Sequence, residues 1–377
     1  MRNILCKSAF LTYALLFIMC RGGNSYSKGI DSAAANSSAA DTVATLQRVI
    51  KDTITVAVCG DIMMGNKFKN NLPPNDGKNI FDDVKHLFHA ADIACGNLEG
   101  TIASSGKPRK SLTSKFAFMF MMPPHYAHHL ADAGFDYVGL ANNHIYDFFD
   151  EAMTQTEQNL DKAGIGYSGA KDPKGQTQHK EYFIKEKEGI KYGFCAFGHE
   201  DYSLRTQDTA TVRRIVEMLN RECDIVVVSF HGGDEGSRAR HLPYGTEYFQ
   251  GDDRGNLRFF THFAIDCGAD VIYGHGPHVV RAIELYNNRF IAYSLGNFCT
   301  CGMGVAGYTG YAPVITVRVN GKGEFIDGHI HSFIQQPMRG PKKDAKNIVV
   351  KEIAELTTAD IKDSKLNIAP DGAITKR

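Results

Sequence analysis

Five segments of this chain share one pattern, in which a short apolar run of strand type leads directly to polar residues of metal-ligand type. The clearest case is Gly274-His275-Gly276-Pro277-His278, which follows the run at 269–273. Glycine allows a sharp turn and proline fixes one dihedral, so both imidazoles can be aimed at one point. The runs at 53–59, 93–95, 137–141, 224–230 and 269–273 lead respectively to Asp61, to Asn97 and Glu99, to Asn143 and His144, to His231, and to His275 and His278.

Helical stretches alternate with these runs, which favours an α/β fold with right-handed crossovers. In such a fold ligands gather outside the carboxyl ends of the strands, so the polar residues are expected to meet. The predicted helices cover residues 81–91, 125–133, 150–163, 211–221 and 255–267, with one more near 348–356. Residues 190–197 are predicted as a further strand, and residues 312–319 and 324–333 as hairpin strands joined through Asn320 and Gly321.

The composition is that of an ordinary soluble domain and gives no reason to expect a nucleic-acid partner. Of the 377 residues, 43% are hydrophobic and 22% are charged, and 42 basic residues balance 42 acidic ones. A formal net charge of zero creates no strong field for polyanions. The nine cysteines are scattered and imply no disulfide framework, and Cys299 and Cys301 are only a weak metal or redox signal.

The amino terminus predicts an exported protein. Residues 1–20 carry Arg2 and Lys7 and then an uncharged run too short for a comfortable membrane span, as in a secretory signal peptide. Cys20 ends this run as in a lipoprotein signal, but Met19 is larger than the usual preceding residue, so lipidation and simple cleavage both stay open. Residues 21–50 are predicted as a low-complexity linker, residues 51–335 as the folded domain and residues 336–377 as a polar C-terminal tail.

The polar residues at the strand ends combine carboxylates, carboxamides and imidazoles, a set that suits manganese, iron or zinc. Six or seven ligands are too many for one tetrahedral ion, so we predict two divalent ions bridged by Glu99, with room for a bound water. Taken singly, Asp61 reads as a cap or turn residue, Asn142 and Asn143 as helix caps, and His231 as a loop histidine. The predicted ligands are Asp61, Glu99 and His278 for one ion, and Glu99, Asn143, His231 and His275 for the other.

His144 follows a ligand position, and Asp147 one turn later can orient it. A protonated His144 would give a proton to a leaving group or stabilise developing charge. Alternatively, it only positions a ligand. Residues 101–124 form an irregular excursion rich in Lys, Met and Phe, of the kind that often binds substrate. The residues predicted to contact substrate are Asn97, Asn142, Arg109 and Glu235, although Glu235 alone reads equally as a solvated charge.

Together these motifs resemble the capsule synthesis protein CapA family, calcineurin-like metallophosphoesterase relatives linked to bacterial poly-γ-glutamate production. The resemblance spans residues 53–298 and rests on the motifs at 60–63, 97–100, 142–147, 231–233, 274–279 and 293–298. It implies a four-layer αββα sandwich with a two-metal centre, in an exported protein acting at the cell envelope. Three residues depart from the pattern: Met63 replaces a histidine of classical metallophosphoesterases, Glu99 replaces their bridging aspartate, and Gly232 replaces a common aromatic.

The resemblance favours an exported metal-dependent hydrolase or transferase that works on an envelope polymer or its precursor. Its expected partners are that polymer and membrane-bound polymer synthase components, with the membrane itself contacted only through a lipid anchor. A phosphoesterase acting on extracytoplasmic phosphate esters is an alternative, with Arg109, Lys110 and Lys115 as phosphate contacts. A tethered, non-catalytic component of a polymer assembly or export complex is another, and Met63 supports it because a ligand is missing there.

Overall fold

Two β-sheets packed face to face form the centre of the computed structural model, which describes residues 51–111, 118–301, 303 and 305–377. The strands in these residues, in chain order, are β1 (Ile54–Met63), β2 (Ile93–Leu98), β3 (Thr101–Ile102), β4 (Met121–Met122), β5 (Tyr137–Gly139), β6 (Gly166–Ser168), β7 (Tyr182–Lys187), β8 (Ile190–Phe197), β9 (Ile225–His231), β10 (Glu247–Phe249), β11 (Asp252–Gly255), β12 (Val271–His275), β13 (Ile283–Tyr286), β14 (Arg289–Ala292), β15 (Asn297–Thr300), β16 (Val314–Val319), β17 (Phe325–His331), β18 (Phe333–Gln336), β19 (Gly340–Lys343), β20 (Leu366–Ile368) and β21 (Ala373–Lys376). The helices are α1 (Lys85–Ala90), α2 (Tyr126–Ala133), α3 (Phe149–Ala163), α4 (Thr209–Glu222), α5 (Leu257–Asp266) and α6 (Ile348–Asp360).

The two large sheets are built around parallel strands. The first has the order β20-β21-β17-β16-β1-β2-β5-β6, with β15 alongside the end of β1, and the second has the order β13-β14-β12-β9-β8-β7. In the first sheet β1, β2 and β5 run parallel, and in the second β8, β9 and β12 do. Each of these parallel pairs is connected through a helix, as a crossover requires. The carboxyl ends of the strands therefore collect at one edge of each sheet.

Alternation of side chains along β1 explains the layering. Val56 and Val58 belong to the core shared with the second sheet, whereas Ala57 and Cys59 belong to the core beneath α1 and α2. Successive side chains of a strand point to opposite faces, so β1 is covered on both sides. Contact between the sheets is direct, because the ring of Tyr137 on β5 stacks on a ring of β8 with centroids 4.7 Å apart.

Helices cover the outer face of each sheet. On the first sheet, Phe88 of α1 packs against Phe135 beside β5, with ring centroids 4.5 Å apart. On the second, Phe260 of α5 packs against Phe197 and Phe230, at 5.6 and 5.5 Å. The predicted α/β fold with four αββα layers is confirmed.

Several predicted elements differ from the structure in their bounds, and for the first helix and the last predicted strand the local structure explains the difference. The helix predicted at 81–91 begins only at Lys85, because the preceding residues form tight i→i+3 turns such as the Val84 N–H bond to the Phe81 carbonyl. The single strand predicted at 324–333 is divided in the structure into β17 and the start of β18. β17 leaves its ladder with β16 at His331, and β18 then pairs with β19 from Phe333 onward.

Residues 336–377 are not a polar tail, which corrects the expectation from composition. They supply β19, α6, β20 and β21, and the last two extend the first sheet. Val349, Ile353 and Leu356 recur at helical spacing along α6 and are buried in the core. The helix predicted near 348–356 is therefore present as α6, but the polar composition of the segment hid that it packs into the core.

The predictions for residues 1–20 and 21–50, for lipidation of Cys20 and for phosphate contact by Lys115 lie outside the described residues. They stay predictions. Within the described ranges, none of the helices combines the length and the apolar character needed to cross a membrane.

One buried ion pair ties the segments around the carboxyl edge of the second sheet. Arg281, which follows β12, donates both terminal nitrogens to the Glu247 carboxylate at 2.8 and 2.7 Å and its Nε to the Ala239 carbonyl at 2.7 Å. Glu247 also accepts the backbone N–H of Asp234 at 3.0 Å. Such a bidentate pair fixes geometry as well as charge. It joins the chain after β9, the start of β10 and the chain after β12.

We expect Arg281→Leu to lower the free energy of unfolding by about 3–5 kcal/mol, because it leaves the Glu247 carboxylate buried without its partner. Urea denaturation of this variant and of wild type measures the loss. The double variant Arg281→Leu/Glu247→Leu removes the orphaned charge and should recover most of the stability. A double variant as unstable as the single one would show that the loss has another cause.

Candidate metal centre

Strand register brings the predicted ligands together at the carboxyl edges of the two sheets. Asp61 on β1 aligns with Asn97 on β2 and with Asn297 on β15. In the second sheet His231 on β9 aligns with His275 on β12. The sequence pattern located these residues correctly, because parallel strands of similar length end side by side.

β1 continues beyond the predicted strand end at residue 59, because β15 pairs with its last residues. The Asp61 N–H donates to the Gly296 carbonyl at 2.9 Å. A Cβ at position 60 would lie 2.0 Å from that same carbonyl oxygen, so only glycine allows this close approach. Asp61 is therefore held inside the sheet rather than in a turn or helix cap.

Five side chains converge at this edge. The Asp61 carboxylate lies 3.5 Å from His275 Nδ1 and 3.2 Å from His278 Nδ1. Glu99 Oε1 lies 3.4 Å from His231 Nε2 and 3.6 Å from His278 Nε2. One ligand atom each from Asp61, Glu99 and His231 fits within 4.8 Å of the others. The predicted ligand Asp61 thus lies beside the two histidines of the turn, His275 and His278. Glu99 lies between His231 and the opposite edge of the His278 ring.

The turn after β12 depends on its glycine and on an unusual backbone at His278. Gly276 has φ +113°, and a Cβ there would lie 2.5 Å from the Gly232 carbonyl oxygen. His278 itself adopts a positive φ of 57°, which is uncommon for a residue with a side chain. Its Nδ1 is within hydrogen-bond distance of both Asp61 and Asn297 Oδ1, the latter at 3.0 Å. This arrangement leaves Nε2 facing Glu99.

The donors fit a divalent cation because their polar atoms are buried and unused. Both carboxylate oxygens of Glu99 and both ring nitrogens of His231 and His275 are buried without a hydrogen-bond partner in the described part of the chain. Asn143 Oδ1 is buried in the same condition. Buried polar groups normally make hydrogen bonds, so a cluster of buried polar atoms without such partners indicates a binding site. Carboxylate, amide oxygen and imidazole are donors for manganese, iron or zinc.

The pKa values of His231 and His275 favour the neutral, metal-binding form, whereas that of His278 favours the charged form. Burial lowers the pKa of His231 well below its ordinary value, against the opposing Asp61 carboxylate, and lowers that of His275 to about 4. Burial also acts on His278, but the Glu99 and Asp61 carboxylates outweigh it and raise its pKa to about 10. Neutral imidazoles are the metal-binding form. The two carboxylates thus favour the charged form of His278, and a bound cation would supply the same compensating charge.

His144 and Asp147 form a buried pair beside this cluster. His144 Nδ1 lies 2.7 Å from Asp147 Oδ2, and its backbone N–H donates to Asn142 Oδ1 at 3.1 Å. Asp147 also accepts the Phe120 N–H at 2.9 Å, and the Phe120 ring packs on the imidazole at 4.4 Å. These contacts fix the ring and leave Nε2 as the nitrogen available for a substrate.

Two of the predicted substrate contacts are used inside the protein. Asn97 donates to Asp61 Oδ1 at 2.8 Å, and Asn142 donates to Asn97 Oδ1 at 3.1 Å and to the Leu98 carbonyl at 2.8 Å. Both asparagines are fully buried. Their amides hold Asp61 and the backbone before Glu99 in place instead of facing a ligand, which corrects the prediction.

Arg109 and Lys110 lie at the rim, close to the His144–Asp147 pair. Arg109 donates to the Tyr202 hydroxyl at 3.0 Å, and that hydroxyl donates to the Asn143 carbonyl at 3.2 Å. Lys110 Nζ lies 3.4 Å from Asp147 Oδ1. Arg109 and Lys110 therefore bring positive charge to the rim of the site.

Three residues of this region had no role in the sequence-based prediction. Asn297 contacts His278, and its signal was its place in the stretch 293–298 after the two histidines. His199 follows β8 as the other ligands follow their strands, and its ring lies 6.1 Å from that of His231. Arg254 lies on β11, beside the predicted Glu235, at 2.8 Å. No pattern pointed to Arg254, because a charged residue in a loop-rich segment is usually solvated.

Met63, Cys299 and Cys301 are fully or almost fully buried. Met63 stands where classical metallophosphoesterases have a histidine, and a thioether does not replace it. Among the described residues both cysteines carry free thiols, and burial raises the pKa of Cys299 well above its ordinary value. Such thiols behave as small core residues.

Comparison with known proteins identifies the family. Residues 55–301 match the model of the bacterial capsule synthesis protein PGA_cap. The PGA biosynthesis protein CapA of Bacillus subtilis (strain 168) is 28% identical over 265 residues, covering 66% of this chain and 63% of that protein. The capsule biosynthesis protein CapA of Bacillus anthracis is 24% identical over 270 residues, covering 68% and 62%. The chain thus matches less than two thirds of the length of these relatives.

Solved structures also align with the chain. A hypothetical protein from Thermus thermophilus has a TM-score of 0.47 at 15% identity, covering 75% of this chain and 100% of that one. A putative 5'-nucleotidase from Staphylococcus aureus has a TM-score of 0.43 at 12% identity, covering 81% and 58%. The family model matches well over half of the sequence, and the chain belongs to the PGA_cap family of bacterial capsule synthesis proteins.

Proposed function

We propose that this protein is a metal-dependent hydrolase or transferase that acts on poly-γ-glutamate, a related capsule polymer or its precursor. The observation that carries the proposal is the Glu99 carboxylate, which is fully buried, lies between His231 and His278 and has no hydrogen-bond partner among the residues described. A buried carboxylate without a partner is too costly to keep as a structural element. The names of the Bacillus relatives supply the polymer class.

The residues that would hold the metal are those that converge at the sheet edges. Asp61, Glu99 and the three histidines 231, 275 and 278 would hold two divalent ions, with Asn143 completing the set. Manganese, iron or zinc suits these donors. A bound divalent ion supplies an activated water at neutral pH and polarises the group under attack.

The chain itself supplies proton transfer and orientation. Asp147 holds His144 through Nδ1, so a proton on Nε2 is directed towards the leaving group of the substrate. Asn142 fixes the backbone of His144, and Asn97 fixes Asp61, so the proton donor and a metal ligand are joined through one chain of amide hydrogen bonds. Arg109 and Lys110 attract an anionic substrate to the rim.

The proposed place of action is the cell envelope. The signal-peptide pattern of residues 1–20 would export the chain to the periplasm or cell surface, and lipidation of Cys20 would anchor it to the membrane. The low-complexity residues 21–50 would serve as a tether. The proposed partners are the polymer or its precursor and the membrane-bound components that synthesise it.

A second candidate function is a phosphoesterase acting on extracytoplasmic phosphate esters. The rim position of Arg109 and Lys110 beside the His144–Asp147 pair favours it, because arginine and lysine are the usual phosphate contacts. Poly-γ-glutamate itself carries no phosphate, so an assay with both substrate classes separates the two candidates.

Glu99→Gln is expected to weaken metal binding at least tenfold, since ligand loss should cost no less than loss of a group that merely orients a ligand. The measurement is metal content by elemental analysis after incubation with Mn²⁺ or Zn²⁺ and dialysis, with the metal-induced rise in melting temperature as a second readout. Glu284→Gln is the matched control, because Glu284 also lies beside a histidine, His262, and is outside the cluster. Equal metal retention in both variants would contradict the assignment.

His144→Gln is expected to keep the metal and to lower turnover roughly 10²–10⁴-fold, the usual contribution of a general acid. Turnover is followed with γ-glutamyl oligomers and with an aryl phosphate ester. His89→Gln, at an exposed histidine bonded to the Asp132 carbonyl, is the control and should leave turnover unchanged. A metal-loaded wild type that turns over neither substrate class would instead favour a non-catalytic assembly component.

A further inference from the structure

Arg254 is a buried cation with unused donors at the edge of the candidate metal centre. It lies on β11 and is only 3% exposed. Its Nε and Nη2 are buried without a hydrogen-bond partner in the described ranges 51–111, 118–301, 303 and 305–377. A guanidinium group has five donors and stays charged in proteins. Burying it with donors unused costs stability, so a ligand for these donors is expected.

The glycine after His231 makes room for this arginine. A Cβ at Gly232 would lie 2.6 Å from the backbone oxygen of Arg254, and the same oxygen accepts the Gly233 N–H at 2.9 Å. Any side chain at position 232 would push β11 away. Gly232 therefore lets β11 lie directly on the loop after β9 and bring Arg254 to the site.

Only one side chain separates Arg254 from the proposed metal ligands. Arg254 Nη2 lies 2.8 Å from Glu235 Oε1, and Glu235 Oε2 lies 4.0 Å from His278 Nε2. The positive charge of Arg254 also contributes to the lowered pKa of His231, after burial. Arg254 thus faces the same space as the ligands, and Glu235 is the more exposed member of the pair, at 17% against 4%.

A comparison within the molecule separates this arginine from a purely structural one. Arg281 forms a bidentate pair with Glu247 and also bonds a backbone carbonyl, so its guanidinium group is fully engaged. Arg254 forms one ion pair, to Glu235 Oε1 through Nη2, and its guanidinium group lies over the Phe249 ring at 5.6 Å. Its Nε has no hydrogen-bond partner among the described residues. Glu235 therefore engages only one terminal nitrogen of Arg254 and leaves Nε for an incoming anion.

We propose that Arg254 binds an oxyanion group of the substrate beside the metal centre, and that Glu235 competes for it in the substrate-free protein. The inference rests on the proposed function and narrows its substrate to one that carries a second negative group next to the group attacked. A planar guanidinium matches a carboxylate or a phosphate with two parallel hydrogen bonds. The free carboxylates of a γ-glutamyl chain and the phosphate of a precursor share this chemistry.

The test is calorimetric binding of two probes, γ-glutamyl trimer and inorganic phosphate, to the purified full chain. Loss of a hydrogen bond to a charged group corresponds to roughly 10- to 100-fold in affinity, so Arg254→Gln should weaken binding by that factor. Glu235→Gln should tighten binding, because it removes the competitor and a repelling charge. Arg213→Gln, at an exposed arginine paired with Glu217, is the control and should leave binding unchanged.

The signs of the two changes decide the outcome. Binding that is equal in wild type and Arg254→Gln, or absent from wild type, overturns the proposal, and so does a Glu235→Gln variant that weakens binding as Arg254→Gln does. If Arg254→Gln fails to fold, Arg254→Lys is the variant that tests the proposal. Lysine keeps the positive charge but lacks the planar group that makes two parallel hydrogen bonds, so this variant should bind the probes several-fold more weakly than wild type. Unchanged binding in Arg254→Lys overturns the proposal as well. The probe that binds with the higher affinity identifies the source of the oxyanion, a γ-glutamyl carboxylate or a phosphate.

Metal content measured on the same samples keeps the two proposals apart. A wild type that retains metal but binds both probes independently of Arg254 contradicts this inference alone. A wild type without metal whose anion binding still depends on Arg254 contradicts the proposed metal chemistry and supports the anion site.

Discussion

The constraint on which this structure depends is the burial of two carboxylates and three imidazoles at one edge of the sandwich. Glu99 and Asp61 are fully buried, and Glu99 has no hydrogen-bond partner within the described chain. Desolvated charges of one sign cannot lie together without compensation. The Glu99 and Asp61 carboxylates outweigh burial and raise the pKa of His278, which favours a compensating proton on its ring. A divalent cation is the natural replacement for that proton.

The surrounding fold keeps these groups in position through close backbone packing. Gly60 lets β1 pass against the Gly296 carbonyl, and Gly276 lets the turn after β12 pass against Gly232. In the same way Gly232 admits the backbone of Arg254. Each of these glycines stands where a Cβ would meet a backbone carbonyl oxygen, so the approach of the two sheets and β11 is fixed by the backbone rather than by flexible side chains. These backbone contacts hold the side chains of the site in position.

The alternation of strands and helices predicted the α/β fold and the meeting of polar residues at the strand ends, whereas the four-layer sandwich was implied only by the family resemblance. Parallel strands end at a common edge, so polar residues after apolar runs, such as Asp61 and His231, had to meet. The rule did not reveal Arg254, whose position depends on how β11 packs on a glycine loop far from any long strand. It also misjudged Asn97, since only the hydrogen-bond network shows that its amide serves Asp61. The helix near 348–356 was predicted, but the polar composition concealed that the segment around it extends the first sheet and packs into the core.

The central claim is that Glu99 and His231 bind a metal ion. Crystals grown with Zn²⁺ and measured on both sides of the zinc absorption edge test it most directly, because the anomalous difference map locates the metal without reference to activity. The account predicts a peak about 2.0–2.2 Å from Glu99 oxygen and His231 nitrogen. It also predicts a second peak about 3.5–4 Å away on the other side of Glu99. A map without a peak at Glu99, in a crystal where these side chains are ordered as described, would contradict the account.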